Sequence, residues 1–81
     1  MELKDSQLYQ SLDRYVMELN ILSDDRWNLS VDDIENRIEV TKDLETILVV
    51  SDDDNVQVSN YGILTPNEAV KVLAMIQEVT L

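Results

Sequence analysis

The stretch whose reading decides the fold is LETILVVSDDDNVQVSNYGILT, residues 44–65. An apolar run from Ile47 to Val50 meets three consecutive aspartates, Asp52, Asp53 and Asp54, and is answered by the alternating Val56-Gln57-Val58. Asp and Asn tolerate the backbone angles of a tight reversal, so Asp52 to Asn55 reads as a hairpin turn. Strands are expected over about residues 44–51 and 56–60. The first is apolar on both faces, which predicts a central strand covered on both sides. Gly62 is available for a positive φ after the second strand. Thr65-Pro66-Asn67-Glu68 then marks a helix start. Thr65 is the N-cap, Pro66 fits the first helical position, and Glu68 closes a capping box. That helix is expected to reach about Val79, burying Ala69, Val72, Leu73 and Ile76, with Val70, Met75 and Val79 alongside.

Working outward toward the N-terminus, Leu8, Leu12, Tyr15, Leu19 and Leu22 recur at steps of four and three and predict an amphipathic helix over residues 6–22. Asp5 or Ser6 is the expected cap. Residues 23–29, SDDRWNL, read as a loop. Its Trp27 is either a core plug, since the ring is large, or an exposed anchor at an interface. Ser30 with Asp33 makes a capping-box-like pair, Leu29 and Ile34 hold the positions of a hydrophobic staple, and Asp32 and Asp33 suit the positive end of a helix dipole. These signals predict a short second helix from Ser30. A strand follows from about Arg37 to Thr41, then a turn at Lys42-Asp43. The expected fold is α+β in a single compact domain, residues 1–81: an N-terminal helix, a short second helix, a three-stranded antiparallel sheet in order 1-2-3, and a C-terminal helix.

Composition constrains function more than any motif does. The 81 residues include 17 acidic and 6 basic side chains, a formal charge of -11. Nucleic-acid binding needs Lys and Arg to neutralise phosphates, so direct contact with DNA or RNA is not expected, and an anionic membrane surface is equally repelled. Between residues 24 and 54, eleven acids face three bases. The expected partner is therefore a basic protein surface, met by Asp24, Asp25, Trp27, Asp32, Asp33, Glu35, Asp52, Asp53 and Asp54 if the loop, short helix and hairpin tip share one side. The chain starts without the apolar segment of a signal peptide and holds no run long enough for a membrane span, which predicts a soluble, cytoplasmic protein, monomer or homodimer.

Catalysis is not expected. With no histidine and no cysteine, neither a Ser-His nor a Cys-His nucleophile can form, and thiolate and imidazole metal sites are excluded. There is no Gly-rich phosphate loop. Among 17 acids some pair of carboxylates always falls close together, so such a pair carries no weight as an acid–base signature. The Asp52–Asp54 run fails as a calcium loop, because the sixth position from Asp52 is Gln57 instead of Gly and the twelfth is Ile63 instead of Glu. No cofactor or metal is expected.

In its size, its acidity and its order of elements, the chain resembles small phage-encoded anti-CRISPR proteins. The helix from Ser6, the hairpin ETILVVSDDDNVQVS and the helix opened by LTPNEA carry that resemblance. The segment LYQSLDRYVMELNILSDDRWNLSVDDIENRI is similar in pattern to the N-terminal part of staphylococcal uracil-DNA glycosylase inhibitors. What both resemblances imply is an acidic DNA mimic that binds and inhibits a basic nucleic-acid-handling protein, such as a CRISPR nuclease or a DNA-repair enzyme. No residue role is carried over from either family. The alternative reading is a structural or adaptor protein that uses an apolar surface, with its charge serving solubility alone.

Overall fold

A computed structural model describes residues 7–51 and 55–80. The cap expected at Asp5 or Ser6 and the aspartates 52–54 lie outside the described residues. The chain is α+β. Helix α1 (Gln7–Leu22) leads into four strands, β1 (Trp27–Asp32), β2 (Arg37–Lys42), β3 (Glu45–Ser51) and β4 (Val56–Val58). A 3-10 turn (Tyr61–Ile63) precedes helix α2 (Pro66–Thr80). The strands form one antiparallel meander in the order β1-β2-β3-β4.

Four strands, instead of three, follow from how residues 27–36 resolve. Trp27, Leu29 and Val31 alternate with Asn28, Ser30 and Asp32, a period of two that suits a half-buried strand. The expected loop 23–29 and the short helix from Ser30 are therefore replaced by β1 and a turn at residues 33–36. Ser30, the expected cap, lies within β1, and Asp32, expected only to suit the helix dipole, is the residue that binds the turn. Asp32 Oδ1 accepts from the N–H groups of Ile34 and Glu35, both at 3.1 Å, as an N-cap carboxylate would. The chain then reverses at Asn36, whose φ is 52°, and no helix propagates. Ile34 makes no staple and stands 92 % exposed.

Both helices lie on one face of the sheet, α1 over β1 and α2 toward β4, and they also pack on each other. The core between the layers holds Leu12, Val16 and Leu19 of α1, Val72 and Met75 of α2, and Trp27, Ile38, Val40, Ile47, Leu48 and Val50 of the sheet. The other face carries Asn28, Ser30, Glu39, Thr41 and Gln57 and is uncovered by any described element, as antiparallel sheets permit. This corrects the expectation that β3 is covered on both sides. Its apolar run is explained by a register shift between Val40 and Thr41, where Val40 pairs with Leu48 but Thr41 pairs with Thr46. Ile47 is the extra residue of this bulge, and it and Leu48 are both buried.

Three smaller expectations change. The β2–β3 turn is Asp43-Leu44, with φ values of 52° and 70°, and Lys42 closes β2. Gly62 has no positive φ; Asn60 supplies it, at 54°. Leu73 is half exposed, whereas Met75 is completely buried. The α2 start follows its sequence signals closely. The Glu68 N–H donates to Thr65 Oγ1 at 3.3 Å, and the Thr65 N–H donates to Glu68 Oε1 at 2.8 Å, a complete capping box.

Candidate functional site

The meander sorts the turns onto two ends of the sheet. Asp24 and Asp25, each with a positive φ, follow α1 and enter β1 at its Trp27 end. The β2–β3 turn shares that end, since the Asp43 N–H donates to the Arg26 carbonyl at 3.0 Å. The β1–β2 turn, with Asp33, Ile34 and Glu35, stands at the opposite end. Arg37 pairs with Ser51 there, and the Ser51 N–H donates to the Asn55 carbonyl at 2.9 Å. The five rises of ~3.3 Å along the six residues of β1 separate the two ends by about 17 Å. The expected single patch is thus divided. Asp24 and Asp25 belong to one end with Asp43 and Glu45, and Asp32, Asp33 and Glu35 belong to the other.

Trp27 is buried to 2 % exposure, which corrects its place among partner-facing residues and fits the core-plug alternative. Asp32 is half buried, held by the two turn N–H groups and by Arg37 Nε at 3.7 Å. Asp33 and Glu35 are exposed and have no ion pair to a described residue. Asp24 and Asp25 are likewise exposed. The cations are otherwise engaged. Arg26 pairs with Asp43, Arg37 with Asp32 and Glu39, Lys71 with Glu18, and Lys42 with Glu68. Of the described basic residues only Arg14 has no such pairing; Asp43 at one end and Asp32 at the other are matched, whereas Asp24, Asp25 and Glu45, and Asp33 and Glu35, have no ion pair to a described residue.

The densest polar cluster is one that the sequence reading passed over. Glu68 is completely buried. Its Oε1 accepts from Lys42 Nζ at 2.7 Å and from the Thr65 N–H, while its Oε2 accepts from Trp27 Nε1 at 3.1 Å and from the Ser23 hydroxyl. Lys42, only 5 % exposed, also donates to the Ile63 carbonyl at 3.3 Å. The cluster ties the end of α1, the start of β1, the end of β2, the 3-10 turn and the start of α2 at one point. Burial pushes the Glu68 carboxyl up. The Lys42 ammonium, the Ser23 hydroxyl, the Thr65 N–H and the Trp27 indole outweigh that and hold it down at about 2. Both residues were legible by extending the periodicities to polar positions. Lys42 continues the Ile38, Val40 alternation of β2, and Glu68 falls on the Val72, Met75 stripe of α2. Both Glu68 oxygens are taken up by donors from four residues and its side chain is completely buried, so this cluster acts as a structural joint.

A shallow open groove of about 260 Å³ lies between the helices, lined by Gln7, Leu8, Ser11, Glu78 and Val79. Among the described residues its lining includes one carboxylate, Glu78, and no cation. Among the described residues no group of three acids is placed to hold a metal ion, and no helix is long and apolar enough to cross a membrane. Comparison with protein-family models, curated proteins and solved structures finds nothing that matches this chain.

Proposed function

We propose that this protein is a non-enzymatic acidic binder that docks on a basic, nucleic-acid-handling protein and inhibits it by occupying the surface where a phosphate backbone would lie. One observation carries the reading. Asp33 and Glu35 project from a turn that Asp32 pre-organises, with no ion pair to a described residue, at the end of the sheet where β3 leads into the three aspartates 52–54. Carboxylates fixed on a rigid hairpin offer charge at low ordering cost, and electrostatic complementarity of this kind steers encounter and selects partners. The pole formed by Asp24, Asp25, Asp43 and Glu45 lies about 17 Å away, a span equal to roughly ten phosphates counted over both strands of a duplex. One molecule could thus present two acidic stations to an elongated basic groove.

The test uses the full chain immobilised as bait in bacterial lysate, with duplex DNA as the competitor. The reading expects a nuclease, glycosylase or other DNA-handling protein to be retained at low salt, released by raised salt and displaced by the duplex. The variant carrying Asp33→Asn and Glu35→Gln is expected to retain less of it. Failure to retain any such protein, or retention indifferent to duplex DNA, would refute charge mimicry.

A further inference from the structure

We propose that the free edge of β4 is a self-association surface, at which a second copy of this chain adds its own β4 antiparallel about a two-fold axis at Gln57. The ladder fixes which backbone groups are available. The Ser51 N–H donates to the Asn55 carbonyl at 2.9 Å, and the Ser59 N–H donates to the Ile47 carbonyl at 2.8 Å. With Leu48 opposite Val58 and Val50 opposite Val56, residues 55, 57 and 59 turn their backbone groups toward β3. Val56 and Val58 therefore turn theirs outward. Setting Val56 of each copy opposite Val58 of the other makes four N–H···O=C bonds and leaves the two Gln57 side chains adjacent on the open face.

The side chains suit the same arrangement. Val56 and Val58 face the helix-covered side of the sheet, and Val58 is 41 % exposed. On α2, Lys71 reaches α1 through Glu18 at 3.1 Å, and Glu78 lines the groove with Gln7 and Ser11. The helical repeat then sets Leu73, 50 % exposed, on the flank away from α1, while Val70 points away from the sheet. A second copy continuing the sheet brings its own α2 alongside and covers Leu73.

Charge argues for a second copy as the occupant. In a chain that is 28 % charged, residues 55–67 contain no charged side chain at all. Two acidic molecules can therefore meet along this edge without opposing like charges among its described residues, and antiparallel pairing sets Asn55 of the two copies at opposite ends of it. A basic peptide, by contrast, finds nothing there to draw it. The other sheet edge, β1, is bracketed by Asp24 and Asp25 at one end and Asp32 and Asp33 at the other, and so resists self-pairing. Edge strands are usually blunted by Lys, Pro or a bulge, and Val56-Gln57-Val58 carries neither of those residues and no register shift.

Sedimentation equilibrium of the full chain, from micromolar to millimolar concentration, decides it. The expected result is a reversible dimer of twice the 9.3 kDa chain mass, tighter at high salt because screening removes the repulsion between two copies of charge -11. Val58→Pro deletes an outward N–H that the β3–β4 ladder does not use, removing two of the four bonds across the axis. It is expected to weaken the dimer about tenfold or more with unchanged circular dichroism. Leu73→Asp perturbs the helix side of the joint alone and is expected to weaken it as well; it decides the matter should the proline variant fail to fold. A monomer at every concentration in high salt, or a dimer indifferent to Leu73→Asp or to a folded Val58→Pro, would overturn the proposal.

Discussion

Replacing Glu68 by Gln tests the joint that holds the two layers together. The carboxyl is held at about 2 against an ordinary value of 4.5. At ~1.4 kcal/mol for each tenfold change in acidity, that difference stabilises the folded state by about 3 kcal/mol once the group is ionised in both states. Removing one member of a buried pair costs a similar amount, about 3–5 kcal/mol, because the Lys42 ammonium is left buried without its counter-ion. A domain of this length has a total stability on the order of 4–12 kcal/mol, so the substitution threatens the fold itself. In thermal terms about 3 kcal/mol corresponds to a fall in Tm of roughly 12–24 °C.

The sign of the pH dependence follows from the direction of the shift. A depressed carboxylate contributes its full stability above about 4.5 and loses it as pH falls toward 2. Acidification also discharges the other acids and relieves repulsion, so the informative quantity is the gap between wild type and Glu68→Gln. Trp27 is the single tryptophan and donates its indole N–H to Glu68, so urea titration followed by its emission reports on this joint directly. The gap is expected to be largest at neutral pH and to shrink steadily between pH 4.5 and 2. A double-mutant cycle with Lys42→Met should show the two losses to be far from additive. A gap constant across that pH range, or two additive small losses, would refute the account of Glu68 as an ionised, Lys-paired group.

Other expectations concern the turns. Leu44→Gly should raise stability by about 1 kcal/mol, because φ of 70° is unfavourable for leucine and the side chain, 92 % exposed, loses no packing; thermal denaturation measures it. Asp32→Ala removes the acceptor for two turn N–H groups and should cost about 1–2 kcal/mol, with Asp32→Asn recovering most of it in urea titration. The Asp33→Asn, Glu35→Gln variant should keep wild-type Tm within a few degrees, since both side chains are exposed and make no ion pair to a described residue, while lowering retention of the basic partner.

The elements with strong periodicity or complete caps were legible in the sequence. Helix α1 declared itself through the spacing of Leu8, Leu12, Tyr15 and Leu19, and α2 through Thr65, Pro66 and Glu68, because these signals are local and tertiary packing reinforces them. Residues 27–36 were misread because a capping box and an Asx-type turn draw on the same chemistry, a short carboxylate accepting from N–H groups two and three residues on. The alternation of Trp27, Leu29 and Val31 was the competing signal, and packing against α1 gave it the advantage. The bulge at Ile47 was illegible, since an apolar run reads identically whether the strand is covered on two faces or a bulge turns Ile47 and Leu48 together into the core and leaves Val49 on the open face. The buried Lys42–Glu68 pair was hidden for a different reason: charged residues are assigned to solvent by default, and only spatial proximity supplies the partner that makes burial tolerable.

The fold itself places few demands on most of the acids. Glu68 is structural, Asp32 shapes a turn, and Glu18, Glu39 and Asp43 are matched by Lys71, Arg37 and Arg26. Exposed pairs of this kind contribute little stability, about 0–1 kcal/mol each, and crowding like charges at the two sheet ends opposes folding. A surplus that stability does not require is retained for solubility or for a partner, and ionic strength separates these uses. Recognition of a basic surface weakens as salt rises, because screening removes the attraction. Self-association along the uncharged β4 edge strengthens, because screening removes only repulsion. Opposite salt responses in the same preparation would therefore separate the proposed partner capture from the proposed dimer formation, and a dimer that weakens with salt would contradict pairing along an uncharged edge.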